Sequence, residues 1–496
     1  MSPSTEPYNE EKYKALMDGL ECTTQSLSQV LASGSRFDAD YYSKMNLSVS
    51  KILNTVGNKT IGEYGGILDC SAFYPAITGY YSHDRNNIPF LRVNEINNGL
   101  ILITDETVFL PESVIEENSK TIAKAYPGDI IIAKGGNTLA KVGLITDEFP
   151  VYATCRDVII LRTDKLDGIN KYFLWAFLHS SYGQSILWRS ASQTGQPHLT
   201  LPAITKINVP NTSLIQKAIE MLYQKSVGLK EQSSNQYSYA ESILSEALDL
   251  QSLEIDPTNV SIKPLSISYG ISGRLDAEYY QPKYDDLFSI LQNYPCKNLG
   301  GNNGITDIIK SIEPGSEAYQ KTGIPFIRVS DLDRFGISQP EIYLSSDIVE
   351  DVQTLYPRKN TILFSKDGSV GIAYKMEENA QLITSGALLH LTIRDTDTVL
   401  PDYLTLVLNS PVVQMQAERD SNGAIIQHWK PSEIANVIIP ILDMSIQQEI
   451  ANKVQESFAL RKQSKVLLEY AKKAVEMAIE QGEDTALAWL KEKVNV

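Results

Sequence analysis

The sequence predicts an α+β fold, in which two tandem globular domains related by a pseudo-two-fold axis are separated by two long helices. The 496-residue chain carries the motif Arg-x-Asp-Ala-x-Tyr-Tyr at residues 36–42 and again at 274–280, an offset of 238 residues. The segments Ile88–Val93 and Ile324–Val329 also match each other, in the same order. Duplication over about half a chain indicates two copies of a whole domain, not a solenoid.

Three further pairs of matching segments extend the duplication beyond these anchors. They are residues 127–136 with 357–368, 172–178 with 403–409, and 207–210 with 437–440. The last pair ends each copy at a proline, and a long helical pattern follows within a few residues. The offset drifts along the chain, so short insertions distinguish the two copies.

The N-terminal residues 1–31 are predicted to form a helix and a strand that join the layer of long helices. Residues 9–21 place apolar side chains at helical spacing. Ser26–Leu31 alternates apolar and polar residues, and so does the equivalent Pro264–Tyr269. Strict alternation is typical of a strand, so we predict a strand at both places.

The two globular bodies are predicted at residues 32–212 and 256–443. Each mixes short β-branched runs with Gly, Pro and Asn turns, a pattern that indicates strands. The clearest predicted strands are 130–132, 158–161, 361–364 and 388–393. One amphipathic helix is predicted late in each body, at 170–187 and at 401–417.

A central spacer helix is predicted within 213–255 and a C-terminal spacer helix at 444–481, followed by a tail at 482–496. The first helix carries a heptad seam from Ile215 to Leu250 with a polar middle at Ser226, Ser233 and Gln236. About 36 helical residues span roughly 54 Å, which exceeds what one small domain covers. We therefore predict an antiparallel helix pair. The alternative is that each helix packs on its own domain.

Composition argues against several classes of protein. The formal net charge of -16 is unusual for a nucleic-acid binder, although a net charge averages over faces. No run of eighteen apolar residues and no signal peptide stand out, so we expect a cytoplasmic protein. The four cysteines lack metal-ligand spacing and are expected to be reduced thiols.

No catalytic motif is recognisable in the chain. Phosphate loops, the Gly-x-Gly-x-x-Gly turn and His-Glu-x-x-His are missing, as is the Asn/Asp-Pro-Pro-aromatic tetrapeptide of adenine methyltransferases. We therefore predict no catalytic residue and no metal ligand. Two paired tyrosines beside Arg and carboxylates suggest an architectural role for the repeated motif, whose residues are Arg36, Asp38, Tyr41, Tyr42, Arg274, Asp276, Tyr279 and Tyr280.

Two loops that precede the long helices are candidates for DNA contact. Each has an upstream Arg, a Gly, and a downstream Gln and His, and such side chains hydrogen-bond base edges or phosphates. The candidates are Arg189, Gln193, Thr194, Gln196, His198, Arg419, Asn422, Gln427, His428 and Lys430. Two strand-end loops add Lys134, Lys366 and Ser369 as phosphate contacts. Plain surface turns are the alternative in all four places.

Taken together, these features resemble the DNA-specificity (S) subunit of Type I restriction–modification systems. The resemblance rests on the doubled Arg-x-Asp-Ala-x-Tyr-Tyr, the doubled Ile-Pro-Phe-x-Arg-Val, the Gln- and His-containing loops, and the helix starts Pro210…Gln216 and Pro440…Gln447. It covers nearly the whole chain except the N-terminal 25 residues.

The resemblance implies a non-catalytic protein in which each body reads one half of a split DNA target and the paired helices act as the spacer. It further implies two modification subunits that methylate adenine with S-adenosylmethionine, and restriction–translocase subunits that join them. The cofactor is then expected on those partners and not on this chain. Two other hypotheses about the function stay open. One is an enzyme with a fused methyltransferase or nuclease activity, and the other is a duplicated protein–protein adaptor without DNA binding.

Overall fold

A computed structural model describes residues 9–21, 23–104, 107–192, 197–253, 260–348, 350–421, 423 and 427–494. The chain divides into two compact units. Unit 1 comprises Met1–Gly228 and Gln463–Val496, and unit 2 comprises Leu229–Lys462. Each unit therefore contains one globular body and one half of each long helix, whereas the predicted division gave the helices segments of their own.

Unit 1 and the first long helix contain α and β elements in a mixed order. The helices are α1 (Glu10–Leu16), α2 (Leu27–Ala32), α3 (Lys44–Val56), α4 (Glu112–Glu117), α5 (Lys171–His179), α6 (Ser181–Ser190), α7 (Leu201–Thr205) and α8 (Gln216–Ala247). The strands are β1 (Gly57–Thr60), β2 (Ile67–Asp69), β3 (Ile88–Leu91), β4 (Ile96–Asn97), β5 (Leu100–Ile101), β6 (Phe109–Leu110), β7 (Lys124–Ala125), β8 (Ile130–Ala133), β9 (Val142–Leu144), β10 (Tyr152–Thr154), β11 (Val158–Arg162) and β12 (Asn208–Pro210).

The remainder of the chain repeats this order of elements. The helices are α9 (Pro282–Leu291), α10 (Pro401–Asn409), α11 (Pro411–Asp420), α12 (Pro431–Ile434), α13 (Met444–Gln481) and α14 (Glu483–Val494). The strands are β13 (Cys296–Asn298), β14 (Thr306–Lys310), β15 (Ile324–Ile327), β16 (Leu332–Asp333), β17 (Gly336–Ile337), β18 (Tyr343–Leu344), β19 (Ile362–Ser365), β20 (Ala373–Lys375), β21 (Ile383–Thr384), β22 (Leu388–Ile393) and β23 (Ile438–Pro440).

The pairing of strands in unit 1 is repeated in unit 2, as the sequence motifs are. The four-strand run β2-β11-β8-β9 of unit 1 has its equivalent in β14-β22-β19-β20 of unit 2. The run β6-β3-β10 corresponds to β18-β15-β21, β4-β5 to β16-β17, and β1-β12 to β13-β23. In both three-strand runs the first pair is antiparallel and the second is parallel. The α+β prediction with two copies of one domain is therefore confirmed.

The buried centre of each body is formed by the strands that the sequence predicts most clearly. Strand β8 pairs antiparallel with β11, with Ile130 opposite Leu161, and every residue of β8 is buried. In unit 2, β19 pairs with β22, with Ile362 opposite Leu391. Strands β8, β11 and β19 read as almost continuous apolar runs because both of their faces are covered.

The predicted strands at 26–31 and 264–269 are wrong. Residues 27–32 form the helix α2, in which the Ser26 side chain caps the Gln29 N–H and the Gln29 side chain caps the Ser26 N–H. A reciprocal capping box of this kind favours a helix start over an extended chain. The equivalent segment begins with a turn, because the Pro264 carbonyl accepts from the N–H groups of Ile267 and Ser268, and a π-helical turn follows at Ser268–Ser272.

The single late helix predicted in each body is two helices. In unit 1 the chain breaks at Ser180, which is extended and caps the Gly183 N–H at the start of α6. In unit 2 it breaks at Ser410, and Pro411 begins α11. Proline is tolerated in a first helical turn but lacks the N–H that a helix interior needs, so it marks a boundary there.

The predicted tail at 482–496 contains a further helix, α14, which buries Ala486 and Leu490. Its first residue, Glu483, accepts hydrogen bonds from the backbone N–H groups of Ser213, Leu214 and Ile215, at 2.7 to 3.0 Å for Oε2. A carboxylate at that place satisfies N–H groups that otherwise lack partners at the start of α8. The tail therefore belongs to unit 1.

The two long helices run antiparallel within unit 1, since Glu483 lies at the start of α8 while Ser464 lies beside Ser226 further along it. Ser226 Oγ is 2.8 Å from Ser464 Oγ, and each hydroxyl also reaches the other residue's carbonyl oxygen. In unit 2, Ser233 Oγ lies 3.0 Å from Ser457 Oγ. Ser226 and Ser233, the two serines in the polar middle of the predicted seam, are thus buried and hydrogen-bonded.

The seam changes position along α8. Ile215, Ile219 and Leu222 are buried as predicted, but after Ser233 the buried residue is Tyr237 and not Gln236. Buried positions then continue at Ala240, Leu244 and Leu248, which join the hydrophobic core of unit 2. The end of α8 therefore packs both on the body of unit 2 and on Ile450 and Val454 of α13, which lie in the same core. No helix in the described part of the chain is long and apolar enough to cross a membrane.

Candidate nucleic-acid interface

Each unit brings a lysine loop and a histidine loop together through the same backbone contacts. In unit 1, Gly135 forms an antiparallel bridge with His198, and the Leu199 N–H donates to the Lys134 carbonyl at 2.8 Å. In unit 2, Asp367 bridges to His428 and the Trp429 N–H donates to the Lys366 carbonyl at 2.8 Å. The sequence predicts these loops as separate candidates, and the fold makes them one surface in each unit.

Unit 1 presents an exposed imidazole beside a glycine. A Cβ atom at Gly135 would lie 2.3 Å from His198 Nδ1, so the ring occupies space that only glycine leaves open. Lys134 is partly exposed, and no carboxylate in the described part of the chain pairs with its ammonium group. The Lys134 N–H donates to the Asp157 carbonyl, which places the exposed Arg156 in the neighbouring turn.

Arg156 is a basic residue at this surface that sequence reasoning missed. It occupies the short turn between the buried strands β10 and β11. A charged residue between two apolar strands indicates a turn, and only the strand pairing shows that this turn adjoins the loop of Lys134. The unit 1 surface therefore carries two cationic side chains and one imidazole.

Unit 2 has a carboxylate where unit 1 has glycine. Asp367 forms an ion pair with Lys366 and lies 2.8 Å from His428 Nδ1. Lys366 is largely buried, whereas the His428 side chain is 63% exposed. Lys430 is exposed and contacts Glu433 at 3.1 Å. Lys134 and Lys366 therefore have unlike electrostatic surroundings, although they are equivalent in sequence.

The other described residues of the unit 2 loops are exposed or support the backbone. Gln427 is exposed, and its carbonyl accepts from the Gly368 N–H at 2.9 Å. Ser369 is exposed, and its carbonyl accepts from Ser365 Oγ at 2.6 Å. Trp429 lies beneath the loop, 1% exposed and packed near Phe364. The candidates Gln193, Thr194, Gln196 and Asn422 lie outside the described residues.

Arg189 and Arg419 are turned towards the bodies of their units. The Arg189 Nε donates to the Tyr41 carbonyl at 2.9 Å, and its guanidinium lies 4.1 Å from the centre of the Tyr41 ring. Burial lowers the pKa of Arg189. Arg419 pairs with Asp420 at 2.7 Å and lies 4.5 Å from the ring centre of Phe288. Both guanidinium groups are occupied by contacts within the chain.

The repeated motif forms the same corner twice. Arg36 makes two hydrogen bonds to Asp38, at 2.6 and 2.7 Å, and one to the Ala191 carbonyl at the end of α6. The hydrogen bond from Arg36 lowers the pKa of Asp38. The Tyr42 hydroxyl donates to the Arg36 carbonyl, and the ring of Tyr41 meets that of Tyr42 edge to face.

The second copy repeats each of these contacts. Arg274 pairs with Asp276 and donates to the Asp420 carbonyl at the end of α11. The Tyr280 hydroxyl donates to the Arg274 carbonyl, and Tyr279 meets Tyr280 edge to face. The motif therefore fixes the last turn of the helix that precedes each histidine loop. In the described part of the chain no group of three His, Cys, Asp or Glu residues is placed to hold a metal ion.

Residues 304–470 match the family model described as the Type I restriction modification DNA specificity domain. This range contains both unit 2 loops, with Lys366 and His428, and most of α13. The predicted resemblance to Type I specificity subunits is confirmed.

Two curated relatives are specificity subunits as well. The Type I restriction enzyme EcoBI specificity subunit of Escherichia coli is 22% identical over 236 residues, which are 44% of this chain and 49% of that subunit. The EcoKI specificity subunit of Escherichia coli strain K12 is 20% identical over 409 residues, 75% of each chain. The chain thus spans about half the length of the first of these relatives and three quarters of the second.

Solved structures of the same kind of subunit cover most of the chain at low similarity. The Type I S subunit from M. genitalium is 13% identical with a TM-score of 0.32, covering 88% of this chain and 97% of that one. The HsdS subunit from Thermoanaerobacter tengcongensis is 15% identical with a TM-score of 0.26, covering 84% and 97%. The fold described above follows from the strand pairing within each unit of this chain.

Proposed function

We propose that this chain is the DNA-recognition subunit of a Type I restriction–modification system and that each unit reads one half of a bipartite target. The observation that carries the proposal is the doubled surface on which a lysine loop and a histidine loop are joined by equivalent backbone bridges. Two equivalent surfaces on one chain suit a target with two separate halves.

The two surfaces differ in the groups that they present, so we propose that they read different half-sites. Unit 1 offers His198 with Lys134 and Arg156, whereas unit 2 offers Gln427, His428 and Lys430 around Asp367. Imidazole and amide groups hydrogen-bond base edges, and ammonium and guanidinium groups contact phosphates. Ser369 is proposed as a further phosphate contact.

The remaining candidates are assigned by their positions. Gln193, Thr194, Gln196 and Asn422 belong to the same loops as the two histidines and are proposed as base contacts. Arg189 and Arg419 are proposed to hold the loops in place, because their guanidinium groups already contact the corners of Tyr41 and Tyr279. Lys366 is proposed to reach DNA less freely than Lys134, since Asp367 pairs with it.

Catalysis is proposed to reside on partners. Two modification subunits would bind S-adenosylmethionine and methylate adenine in the cytoplasm, with restriction–translocase subunits joining the same complex. This chain would bind no cofactor itself. The net charge of -16 is then reconciled with DNA binding, because partner subunits cover acidic surface while the two loop surfaces face DNA.

The experiment is to co-express the chain with its cognate modification subunit and map adenine methylation across the host genome. The expected result is a split motif with two short defined halves, and no methylation by the purified chain with S-adenosylmethionine alone. Methyl transfer by the chain alone would show a fused enzyme. A stable complex that neither binds nor methylates a defined sequence would show a protein–protein adaptor without DNA binding. The net charge of -16 favours this hypothesis.

A further inference from the structure

Asp367 holds two neighbouring side chains of the unit 2 surface, one with each of its carboxylate oxygens. Its Oδ1 lies 2.8 Å from His428 Nδ1, and its Oδ2 pairs with the ammonium group of Lys366. Lys366 is largely buried, so its charge requires a partner within the unit. The carboxylate is therefore fixed from the interior side and offers its other oxygen to the histidine at the surface.

The backbone that carries the histidine is fixed as well. Asp367 and His428 form an antiparallel bridge, and the Trp429 N–H donates to the Lys366 carbonyl at 2.8 Å. The indole ring of Trp429 lies beneath the loop and is 1% exposed. Because both the backbone and one ring nitrogen of His428 are held, the free edge of its ring is presented in a defined direction.

The equivalent surface of unit 1 shows that the backbone bridge does not need an aspartate. Gly135 takes the place of Asp367 and forms the same bridge to His198. Among the described residues none hydrogen-bonds a ring nitrogen of His198, whose Nδ1 lies against the glycine. The aspartate is therefore an addition to the frame in unit 2, and what it adds is its contact with two side chains.

The contact with Asp367 determines which nitrogen of the His428 ring carries the hydrogen atom. An ionised carboxylate only accepts hydrogen bonds, so Nδ1 must donate. In the neutral ring Nε2 then has a lone pair and no hydrogen. The side chain is 63% exposed, and no group in the described part of the chain hydrogen-bonds Nε2, so this nitrogen is available as an acceptor.

We propose that Asp367 is a positioning residue for base recognition, which holds His428 so that its Nε2 accepts a hydrogen bond from an exocyclic amino group. In the major groove that group is N6 of adenine or N4 of cytosine, whereas guanine and thymine present acceptors there. Lys366 supports the arrangement by holding the second oxygen of the carboxylate. The inference rests on the proposed function and names the class of base at one position of the half-site that unit 2 reads.

A purely structural aspartate would behave differently. If Asp367 served only to neutralise the buried Lys366, its loss would lower stability and weaken binding to every sequence alike. If it sets the hydrogen on His428, its loss changes which base is accepted at one position. The identity of that base and the position of the hydrogen therefore distinguish the two roles.

The first measurement locates the hydrogen on the ring without any DNA. The full chain labelled with ¹⁵N-histidine contains five such rings, and the signals of His428 are those that His428→Ala removes. Nitrogen chemical shifts distinguish the two tautomers in mildly alkaline buffer, in which free imidazole is neutral. The hydrogen is expected on Nδ1 in the unaltered chain. A mixture of both tautomers is expected in Asp367→Asn, because an amide both donates and accepts.

The second measurement maps adenine methylation across the host genome for the chain with its modification subunit. At one position of the half-site that unit 2 reads, the unaltered chain should require adenine or cytosine. Asp367→Asn should accept guanine or thymine there as well, with discrimination reduced about tenfold. The other positions of that half-site, and the half-site that unit 1 reads, should stay unchanged.

A second variant guards against a loss of folding. Asp367→Asn leaves the charge of Lys366 buried without its partner, and thermal unfolding shows whether the variant has kept its fold. Lys366→Met with Asp367→Asn removes both charges together and should show the same widened base preference. As a matched control, Asp286→Asn removes an exposed carboxylate from α9, outside both loops, and should leave the target unchanged.

The outcomes separate this inference from the proposed function. A hydrogen on Nε2, or on both nitrogens, in the unaltered chain would overturn the role of Asp367 and leave the proposed function standing. An unchanged base preference in both Asp367 variants would do the same. A complex that methylates no defined sequence would overturn the proposed function and this inference with it, whichever tautomer His428 adopts.

Discussion

At the scale of single residues, the duplication preserves backbone contacts more faithfully than side-chain chemistry. Gly135 and Asp367 occupy equivalent bridge positions opposite the two histidines. The glycine leaves space for the His198 ring, whereas the aspartate holds His428 and Lys366 through its two oxygens. One exchange in sequence thus changes the charge of a surface without changing the frame on which it is built.

Replacing either histidine by alanine should relax one half-site only. His198→Ala removes an exposed ring from unit 1 and His428→Ala removes one from unit 2, and a lost base contact costs about 1–3 kcal/mol of discrimination. Genome-wide methylation mapping in the presence of the modification subunit measures both halves at once. The exposed His83→Ala, outside both loops, should leave the target unchanged. Equal relaxation of both halves by one substitution would contradict separate readers.

The two lysines should behave differently, although the sequence predicts one role for both. Lys134→Ala should weaken binding to all sequences and reduce the salt dependence of log K by about one counterion. Lys366→Ala should also lower the melting temperature of the chain, because Asp367 loses the cation that it pairs with. Binding measured from low to moderate salt, with thermal unfolding beside it, separates the two. Identical effects of both changes would argue against this distinction.

Stability should depend on pH through His390. Burial lowers the pKa of this ring to about 4, and its Nε2 lies 2.8 Å from Thr384 Oγ1. In the unfolded chain this ring binds a proton near pH 6.5, whereas in the folded chain it does so only near pH 4. The contribution of His390 to the free energy of unfolding is therefore complete above pH 6.5 and is lost as the pH falls towards 4. Between pH 7 and pH 5 the free energy of unfolding should fall by about 2 kcal/mol less in His390→Gln than in the unaltered chain. Urea unfolding measures it, and His83→Gln should keep the full loss.

At the scale of elements, glutamines place the start of each long helix against its own unit. The Asn170 N–H, at the cap of α5, donates to Gln216 Oε1 at 2.7 Å. The Leu400 N–H, at the cap of α10, donates to Gln447 Oε1 at 3.0 Å. The glutamines of the Pro…Gln helix starts therefore join two helices in both copies. This contact gives a physical reason for a motif that the sequence shows only as a spacing.

The buried serines should determine how closely the long helices approach. Ser226→Leu should destabilise the chain by about 1–3 kcal/mol, because a larger side chain has no room beside Ser464. Ser226→Ala should cost only about 1 kcal/mol, since it removes hydrogen bonds and little volume. Urea unfolding provides both values, and the exposed neighbour Lys225→Leu is the control. A neutral Ser226→Leu would show that the approach is not tight.

At the scale of the whole molecule, the duplication concerns complete units with their own cores, strand pairings and loop surfaces. Each unit also contains part of each long helix. The long helices α8 and α13 are continuous elements of 32 and 38 residues. The proposed function assigns them the role of a spacer between the two half-sites.

Lengthening both helices by one heptad should lengthen the unread spacer of the DNA target. Seven residues inserted between Ser226 and Ser233, and seven between Ser457 and Ser464, add about 10 Å along each helix. At roughly 3.4 Å per base pair this corresponds to about three pairs. DNA twist also rotates one half-site, so affinity should fall. Methylation mapping reads the spacer directly. New half-site sequences, or an unchanged spacer with retained activity, would refute this role for the helices.

The sequence by itself determined the architecture that depends on local pattern and on repetition. Apolar runs predict β8, β11 and β19 because these buried strands contact the core on both faces. The repeated motif predicts two copies, and its Arg–Asp pairs are present in both. The strands predicted at 26–31 and 264–269 are wrong, because a capping box and a turn at Pro264 outweigh the alternation of apolar and polar residues.

Only the tertiary structure decided which loops share a surface and which charged groups remain available. Lys134 and His198 are more than sixty residues apart, and the bridge between their loops follows from strand pairing that no local pattern encodes. The inward turn of Arg189, the pairing of Lys366 with Asp367 and the proximity of Arg156 to Lys134 depend in the same way on long-range packing. Residue type states what a side chain can bind, and the fold decides what it has already bound.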